Sequence, residues 1–285
     1  MKLHFTKMQA AGNDYVYFDC RAGGLPPRKE AAALAVRLSR RRFSVGGDGI
    51  ILIGPPLLAD GDAAMYIYNV DGSEGAMCGN GVRCVAEYLY THGVRRGCIQ
   101  IDTPQAGRKT LHRVAPQVWQ AGMGHFSARA EVFPAVGLGR GMLLGCPLTA
   151  AGESFAVDCI HVGNPHCVVS CEVLPTAAQL AVWGPAIEKH PAFPAGVNIE
   201  FVRVVSPGCL QASVWERGSG ATLACGTGAC AAAAAMTLRG VCKRGTPITV
   251  QLPGGTLTVC VGEDDILTLT GPAETVFEGE IVLDW

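Results

Sequence analysis

The sequence predicts a mixed α/β protein with much antiparallel strand pairing, built from two related halves. A Cys-Gly-x-Gly motif occurs twice, at Cys78 and at Cys225, and a helical pattern follows each copy. Short runs of alternating or β-branched residues, separated by turn residues, make up most of the remaining chain. The length of 285 residues also fits two domains, because a domain commonly contains about 150 residues.

The two motifs belong to a longer internal repeat. Aligning Cys78 with Cys225 sets an offset of 147 residues (78 to 225). The other positions that match at this offset are Gly79 with Gly226, Gly81 with Gly228, and Gly93-Val94 with Gly240-Val241. A second echo lies upstream, where Gly12-Asn13 and Gly163-Asn164 each precede a strand-like run. Several matched features in the same order indicate two copies of one structural unit.

Three helices are predicted. The first follows Cys78, has apolar residues at helical spacing at positions 82, 85, 86 and 89, and ends at Gly93. The second spans about 229–238, and its five consecutive alanines are small enough for it to lie deep in a core. The third spans 30–42 and ends in three arginines, which suit the negative end of a helix.

The predicted strands are short and mostly β-branched. They cover 3–8, 15–18, 50–53, 65–69, 99–102, 167–170, 197–205, 248–252, 256–261, 266–270 and 276–283. Gly254-Gly255 is predicted to form the hairpin turn between two of them. The two halves are expected to meet near residues 115–130.

Composition and charge argue against several classes of function. The chain has 23 basic and 24 acidic residues, so no basic excess indicates nucleic acid or an anionic membrane as a partner. The most apolar stretch, 223–238, is too short to span a bilayer, and the N-terminus lacks the apolar core of a signal peptide. The 13 cysteines show neither a disulfide framework nor a Cys-x-x-Cys motif. We therefore expect a soluble, cytoplasmic protein with mostly reduced and buried cysteines.

Cys78 and Cys225 are the strongest candidates for chemistry. Each precedes a glycine-rich helix N-terminus, where backbone N–H groups lack intrahelical partners and the helix dipole is positive. That environment favours a thiolate and binds a carboxylate, and the glycines let a ligand approach the backbone. The alternative is that both are buried structural cysteines beside helix caps.

One such site in each half suggests a reaction at a stereocentre. The simplest assembly brings both helix ends to one cleft, so that two thiols face one carbon from opposite sides. One thiolate then removes a proton and the other thiol donates one to the opposite face. The helix N-termini would stabilise the enolate-like charge of a bound carboxylate. This logic requires no metal and no pyridoxal cofactor.

Polar residues elsewhere are candidates for positioning and specificity. Glu216-Arg217 is either a solvated salt bridge or a site for the amino and carboxylate groups of a ligand. His166 is either a structural histidine or the proton partner of a cysteine. Four asparagines, which are also ordinary turn residues, lie at or near predicted strand ends: Asn13, Asn69, Asn164 and Asn198. A loose metal candidate consists of Cys167, Cys171, His161 and His166.

In this combination the motifs resemble those of the diaminopimelate epimerase family over most of the chain. The segments that carry the resemblance are 8–14, 46–49, 68–74, 77–84, 163–166, 197–198, 215–218 and 224–228. The resemblance implies a cofactor-independent epimerase that converts LL-2,6-diaminopimelate to meso-diaminopimelate, in lysine and peptidoglycan precursor biosynthesis. It implies two pseudo-symmetric α/β halves, each a mostly antiparallel sheet wrapped around a central helix, and it suggests a homodimer. Two domains are expected, 1–122 plus 272–285 with Cys78, and 123–271 with Cys225. The first includes the C-terminal segment because the last strand of the family returns to the first half.

The resemblance also implies a role for each matched residue. Cys78 and Cys225 would be the acid/base pair, with His166 and Glu216 as their respective polar partners. The reacting α-carboxylate would be held by Gly79-Asn80 and Gly226-Thr227. The distal amino-acid end would be read by Asn69, Asn164, Asn198 and Arg217, with Asn13 and Glu216 also lining the site. Two positions depart from the family pattern: Gly49, where some members have glutamine, and Ala221, where many have an acidic residue.

Two alternatives stay open from the sequence. A proline or hydroxyproline racemase uses a similar cysteine pair but usually has histidine where Asn80 stands, and the polar set above suits a substrate with a second amino-acid end. A thiol redox protein, with a reversible disulfide between Cys78 and Cys225, accounts for the cysteines but not for the polar set. Protection of both thiols by substrate against alkylation would separate the enzymes from the redox protein.

Overall fold

The structure is a computed structural model and describes residues 2–282. The chain forms two compact units. The first contains the chain up to Ala121 together with the chain from Thr270 onward, and the second is Gly122–Leu269. Both boundaries fall inside β-strands, so the chain passes between the units in an extended conformation.

The helices and strands alternate in a similar order in both units. The first unit contains β1 (Lys2–Ala10), β2 (Asn13–Asp19), α1 (Arg28–Leu38), β3 (Gly49–Gly54), β4 (Ala63–Asn69), β5 (Glu74–Gly75), α2 (Gly79–Thr91), β6 (Cys98–Thr103), β7 (Gly107–Ala115) and the start of β8 (Val118–His125). The second contains β9 (Cys146–Ala150), β10 (Glu153–His161), β11 (Pro165–Ser170), α3 (Ala177–Glu188), β12 (Asn198–Ser206), β13 (Cys209–Glu216), β14 (Gly220–Thr222), α4 (Gly226–Leu238), β15 (Pro247–Leu252), β16 (Gly255–Val261) and most of β17 (Ile266–Pro272). The last strand, β18 (Glu274–Val282), returns to the first unit and pairs antiparallel with β1.

The strands pair in the same way in both units. In the first, β2 pairs antiparallel with β1 and parallel with β3, and β4 pairs antiparallel with β3 and β5 but parallel with β6. In the second, β11 pairs antiparallel with β10 and parallel with β12, and β13 pairs antiparallel with β12 and β14 but parallel with β15. The pairing is mostly antiparallel. It confirms the predicted fold class of two pseudo-symmetric α/β halves.

α2 and α4 are the buried helices of their units. Both contain 13 residues, and their first and last residues lie at the predicted offset (79 and 226, 91 and 238). Every residue of α4 from Ala229 to Thr237 is buried. Because most of these side chains are alanines, the helix packs close to β10, β12 and β16. The expectation of an alanine-rich helix deep in the core is confirmed.

Two helix boundaries and one turn differ from the sequence prediction. α1 ends at Leu38 rather than at residue 42, because the backbone N–H of Gly46 donates to the Leu38 carbonyl and closes the helix end. Arg42 has a φ of 71°, which is incompatible with a continuing helix. α4 begins at Gly226, three residues earlier than predicted. The hairpin turn consists of residues 253 and 254, since Gly255 already pairs with Leu252.

One helix escaped the sequence prediction. α3 begins with a capping box, in which the Thr176 hydroxyl accepts the backbone N–H of Gln179 and the Gln179 side chain accepts the N–H of Thr176. This Thr-x-x-Gln signal was available in the sequence. Pro185 lies inside the helix and hid the pattern. The predicted strand 276–283 corresponds to β18, and its last residue lies outside the described residues. Among residues 2–282, no helix has the length and apolar character that a membrane crossing demands.

Candidate active site

Cys78 occupies the N-cap of α2. Its extended backbone (φ −134°, ψ 116°) turns the sulfur back over the first turn, where Sγ accepts the backbone N–H of Gly81 at 3.3 Å. A Cβ at Gly81 would lie 2.7 Å from Cδ1 of Ile51, so a larger residue there would push that side chain aside. The half-buried sulfur therefore lies at the positive end of a 13-residue helix, where a thiolate is stabilised.

Asn13 connects Cys78 to a charged network in the first unit. The Cys78 thiol donates to Oδ1 of Asn13 at 3.4 Å, and Nδ2 of Asn13 donates to Oδ2 of Asp48 at 2.7 Å. Arg41 in turn donates to Asp48 at 3.0 Å and pairs with Asp14. Arg41, which the sequence analysis placed at a helix end, therefore orients Asn13 beside Cys78 through Asp48. Asn13 is the first residue of β2, at the strand end expected from the sequence.

Three predicted carboxylate- and substrate-binding residues of the first unit have partners within the fold. The buried Asn80 accepts from Nη2 of Arg83 at 2.6 Å through Oδ1, and Arg83 also donates to the Gly79 carbonyl at 2.9 Å. The Gly79 carbonyl and the Asn80 amide oxygen thus anchor the first helical turn. Asn69 ends β4, and its Nδ2 donates to Oγ of Ser73 at 3.0 Å within its own turn.

Cys225 occupies the equivalent N-cap of α4. Its backbone has nearly the same conformation (φ −120°, ψ 119°), and Sγ accepts the N–H of Gly228 at 3.4 Å. Oγ1 of Thr227 lies 3.4 Å from the sulfur. Burial raises the pKa of Cys225 well above its usual range, and the charges of Glu216 and Glu200 raise it further. Cys225 therefore holds its proton at neutral pH.

Glu216 lies at the end of β13 next to Cys225. Its Oε1 accepts from the Thr222 hydroxyl at 2.6 Å, and it also shares a hydrogen bond with Cys225. Burial raises the pKa of Glu216, and the bonds to Thr222 and Cys225 oppose that effect. The short β13–β14 hairpin brings the carboxylate and the sulfur together. Glu216 is therefore within hydrogen-bond reach of Cys225.

His166 belongs to a chain of hydrogen bonds, buried at Glu200 and half-buried beyond it, that the sequence did not predict. Its Nδ1 lies 2.7 Å from Oε1 of Glu200, and its Nε2 lies 2.9 Å from Oδ1 of Asn164. Nδ2 of Asn164 donates to Oγ1 of Thr227 at 3.4 Å, which leads to Cys225. Glu200 was missed because it stands in the apolar strand β12. The structure shows that Glu200 is fully buried, and this burial marks it as a site candidate.

Asn198 and Arg217 lie on one turn of the second unit. Asn198 accepts the backbone N–H of Arg217 at 3.0 Å and donates to the Pro165 carbonyl at 3.0 Å, so both amide atoms are engaged. The Arg217 guanidinium donates to the Ala195 carbonyl at 2.8 Å, and the residue is exposed. Asn198 therefore shapes the turn that carries Arg217.

The two departures from the family pattern have different structural settings. Gly49 has a φ of 153°, and a Cβ there would lie 2.2 Å from the Tyr68 carbonyl oxygen, so only glycine fits this backbone. Ala221 is exposed in β14 and pairs with Trp215. As for the loose metal candidate, within residues 2–282 no group of three or more His, Cys, Asp or Glu side chains is arranged to hold a metal ion.

The fold and the capped cysteines define a class of protein with two equivalent halves, each with a cysteine at the N-terminus of its central helix. Solved structures with this fold include a hydroxyproline epimerase from Agrobacterium vitis, with a TM-score of 0.71 and 17% identity over 99% of this chain and 92% of that one. A PhzF-family phenazine biosynthesis protein from Bacillus anthracis has a TM-score of 0.70 and 16% identity, over 99% of this chain and 100% of that one. At such identities the likeness shows the fold alone.

The chain belongs to the diaminopimelate epimerase family. The family model "Diaminopimelate epimerase" matches residues 5–125 and 158–276. A diaminopimelate epimerase from Desulfitobacterium hafniense is 42% identical, over 99% of each chain. One from Acaryochloris marina is 41% identical, over 98% of each chain. The resemblance inferred from the motifs is confirmed.

Proposed function

We propose that this protein is an isomerase that converts LL-2,6-diaminopimelate to meso-diaminopimelate, with Cys78 and Cys225 as its acid/base pair. The observation that carries the proposal is the pair of cysteines at the N-termini of two equivalent helices. Inversion requires one group that takes the α-proton and a second that returns a proton to the opposite face. Relatives with 42% and 41% identity that bear the name of this enzyme support the choice of substrate.

In the proposed reaction, the thiolate of one cysteine removes the α-proton, and the bonding electrons pass into the α-carboxylate. Backbone N–H groups at Gly79-Asn80 and Gly226-Thr227 hold that carboxylate and stabilise its enolate-like charge. The thiol of the other cysteine then protonates the carbon from the opposite side. The raised pKa of Cys225 suits it to the role of proton donor when the substrate first binds. In the reverse direction the two roles are exchanged.

The remaining site residues position the cysteines and the substrate in this proposal. Glu216 assists Cys225, which its side-chain hydrogen bond to that cysteine supports. His166 assists Cys78. The distal amino-acid end of the substrate is bound by Asn69, Asn164, Asn198 and Arg217, with Asn13 and Glu216 also lining the site. Asn198 also places Arg217, because its side-chain oxygen accepts the backbone N–H of that residue.

The proposed chemistry moves only protons between carbon and sulfur, so it uses neither pyridoxal phosphate nor a metal. A reducing cytoplasm would keep both thiols active. The product would serve lysine and peptidoglycan precursor synthesis, and the family resemblance suggests a homodimer. We propose as functional halves residues 1–122 plus 272–285, with Cys78, and residues 123–271, with Cys225.

Proton NMR of the reduced protein with LL-diaminopimelate in D₂O tests the reaction and the substrate together. We expect loss of the α-proton signal and appearance of the meso isomer. Exchange with proline or hydroxyproline but not with diaminopimelate would retain the two-cysteine chemistry and overturn the substrate. No exchange with any of these amino acids, together with thiols that substrate does not protect from alkylation, would favour the redox protein.

Single substitutions test the two-base mechanism. Cys78→Ala and Cys225→Ala should each abolish inversion, because each leaves one face of the α-carbon without a proton-transfer group. Cys98→Ala is the matched control, since Cys98 is exposed and lies outside the site; it should retain full activity. Inversion at the wild-type rate by either of the first two variants would refute the proposed mechanism.

A further inference from the structure

We propose that Tyr15 is a positioning residue of the Cys78 site: its hydroxyl group donates a hydrogen bond to the Cys78 sulfur and thereby stabilises the thiolate form of this cysteine. The kinetic consequences of this proposal rest on the proposed function. The effect of Tyr15 on the reactivity of Cys78 does not, so the two can fail separately.

Tyr15 lies on the face of β2 that covers the central helix of the first unit. Successive side chains of a strand point to opposite faces, and the residues that alternate with Tyr15 pack with α1 in an apolar cluster. Tyr15 and Tyr17 share the other face, where they reach Cys78 and Cys84 respectively. Both tyrosines are buried, with 7% and 2% of their surface exposed. Two similar hydroxyl groups therefore meet two cysteines, of which Cys78 is the N-cap of α2.

Gly49 on the neighbouring strand makes room for the Tyr15 ring. β2 and β3 run parallel here, and a Cβ on Gly49 would lie 3.0 Å from Cε1 of Tyr15. A side chain at position 49 would therefore press on the ring, and a close-packed core offers it little space to move. One of the two positions that depart from the family pattern is thus coupled to the placement of this tyrosine.

Three side chains form a hydrogen-bonded group at the Cys78 sulfur. The Tyr15 hydroxyl shares side-chain hydrogen bonds with Asn13 and with Cys78. Nδ2 of Asn13 donates one proton to Asp48 at 2.7 Å, and its second proton is available to the Tyr15 oxygen. Oδ1 of Asn13 lies 3.4 Å from the sulfur and accepts the proton of the thiol.

The two hydrogen bonds of Tyr15 have opposite directions. Burial raises the pKa of Tyr15 well above its usual range, and the charges of Cys78 and Asp48 raise it further, so the hydroxyl keeps its proton at neutral pH. The bond with Asn13 lowers this pKa, as expected when the amide donates to the tyrosine oxygen. The bond with Cys78 raises it, as expected when the hydroxyl donates to the sulfur. The proton of Tyr15 is therefore directed at Cys78.

A hydroxyl donor at the sulfur favours the thiolate over the thiol. The thiol of Cys78 can donate its own proton to Asn13, whereas the thiolate only accepts hydrogen bonds. Its donors are the backbone N–H of Gly81, at 3.3 Å, and the Tyr15 hydroxyl. Hydrogen bonds to a charged acceptor are about twice as strong as those between neutral groups. Tyr15 therefore stabilises the form of Cys78 that can remove a proton.

In the second unit a hydroxyl group from a different position has this effect. Burial raises the pKa of Cys225, and the hydrogen bond from Thr227, which lies 3.4 Å from the sulfur, opposes that rise. At the repeat offset Thr227 corresponds to Asn80, whose side-chain oxygen accepts from Arg83 instead. The hydroxyl donor of the first unit therefore comes from β2, as Tyr15, rather than from the helix.

Other titratable or charged side chains surround this group. They are Asp48 before β3, Tyr17 on β2, and Arg83 and Cys84 on α2. Asp48 pairs with Arg41. Burial raises the pKa of Cys84 to about 12 and that of Tyr17 well above its usual range, so both stay neutral near pH 7.

The first test is the pH dependence of Cys78 alkylation by iodoacetamide in the reduced wild-type protein and in Tyr15→Phe, which removes only the hydroxyl. The pH at which alkylation becomes fast should move upward by about one unit, which corresponds to about tenfold less thiolate at pH 7. Mere loosening of the fold would instead speed alkylation at every pH. Tyr17→Phe is the matched control, because it removes the neighbouring buried hydroxyl, which is bonded to Cys84. An unchanged profile in Tyr15→Phe, or the same shift in both variants, would overturn the proposal.

The second test is the pH profile of kcat/KM with LL-diaminopimelate. In Tyr15→Phe, the limb that coincides with ionisation of Cys78 should move to higher pH together with the alkylation profile. kcat/KM should then fall about tenfold at pH 7 and recover at high pH, whereas Tyr17→Phe should keep the wild-type profile. A fall of equal size at every pH would mean that Tyr15 only supports the fold and would contradict the proposal. A shifted alkylation profile together with a wild-type protein that does not epimerise would overturn the proposed function and leave the role of Tyr15 intact.

Discussion

At the scale of single residues, one removable hydroxyl group opposes the rise that burial causes in the pKa of Glu216. The Thr222 hydroxyl donates to the carboxylate at 2.6 Å and lowers a pKa that burial has raised. Thr222→Val keeps the volume and removes the donor, so the pKa of Glu216 should rise further. If ionised Glu216 assists Cys225, the acidic limb of the pH profile of kcat/KM should move to higher pH. Thr110→Val, which removes a hydroxyl bonded to Gln100 in the other unit, should leave that limb in place.

Residues in glycine-rich motifs could be read from the sequence, and residues inside apolar strands could not. Cys78 and Cys225 could be recognised because each is followed by two glycines at the start of a helical pattern. Both cysteines lie at helix N-caps, as that pattern predicts. Glu200 has no such local pattern, since a single carboxylate in a β-branched run is typical of an exposed strand residue. Only tertiary packing decides that it is buried against His166.

At the scale of elements, the N-terminus of α4 depends on a glycine beside the buried carboxylate. Gly228→Ala would place a Cβ 2.6 Å from Oε1 of Glu200, and either the helix or the carboxylate must move. We expect a loss of about 1–3 kcal/mol in the free energy of unfolding, as for other overpacked sites, together with a large loss of activity. Thermal unfolding and initial rates measure the two effects. Gly97→Ala, where a Cβ would meet nothing within 4 Å, is the control and should change neither.

The elements differ in how strongly the local sequence determines them. α2 and α4 were predictable because apolar spacing, alanine content and a closing glycine agree. α1 ends early because the Gly46 backbone N–H closes the helix at Leu38 and Arg42 adopts a positive φ, neither of which has a local signature. α3 was missed because Pro185 and the preceding glycine contradict an otherwise adequate capping signal.

At the scale of the whole molecule, the two halves share one framework but differ in charge at equivalent positions. The strand registers align Tyr15 with His166, Ile51 with Glu200, and Asn69 with Glu216. The first half therefore presents neutral side chains where the second presents an imidazole and two carboxylates. The repeat could be recognised from the sequence through its glycines and cysteines. The difference in charge could not, because it depends on the register of strands that share little sequence.

This difference predicts that the two cysteines of the free enzyme react at different rates. Burial, Glu216 and Glu200 keep Cys225 protonated at neutral pH, whereas Cys78 is half-buried and has Asn69 and Ile51 at the equivalent positions. Because the thiolate is the nucleophile, iodoacetamide at pH 7 should modify Cys78 before Cys225. Timed alkylation of the reduced protein, followed by mass spectrometry of the two peptides, measures both rates, with the exposed Cys98 as an internal reference. Cys225 reacting as fast as Cys78 would mean that the carboxylates of the second half do not govern its ionisation.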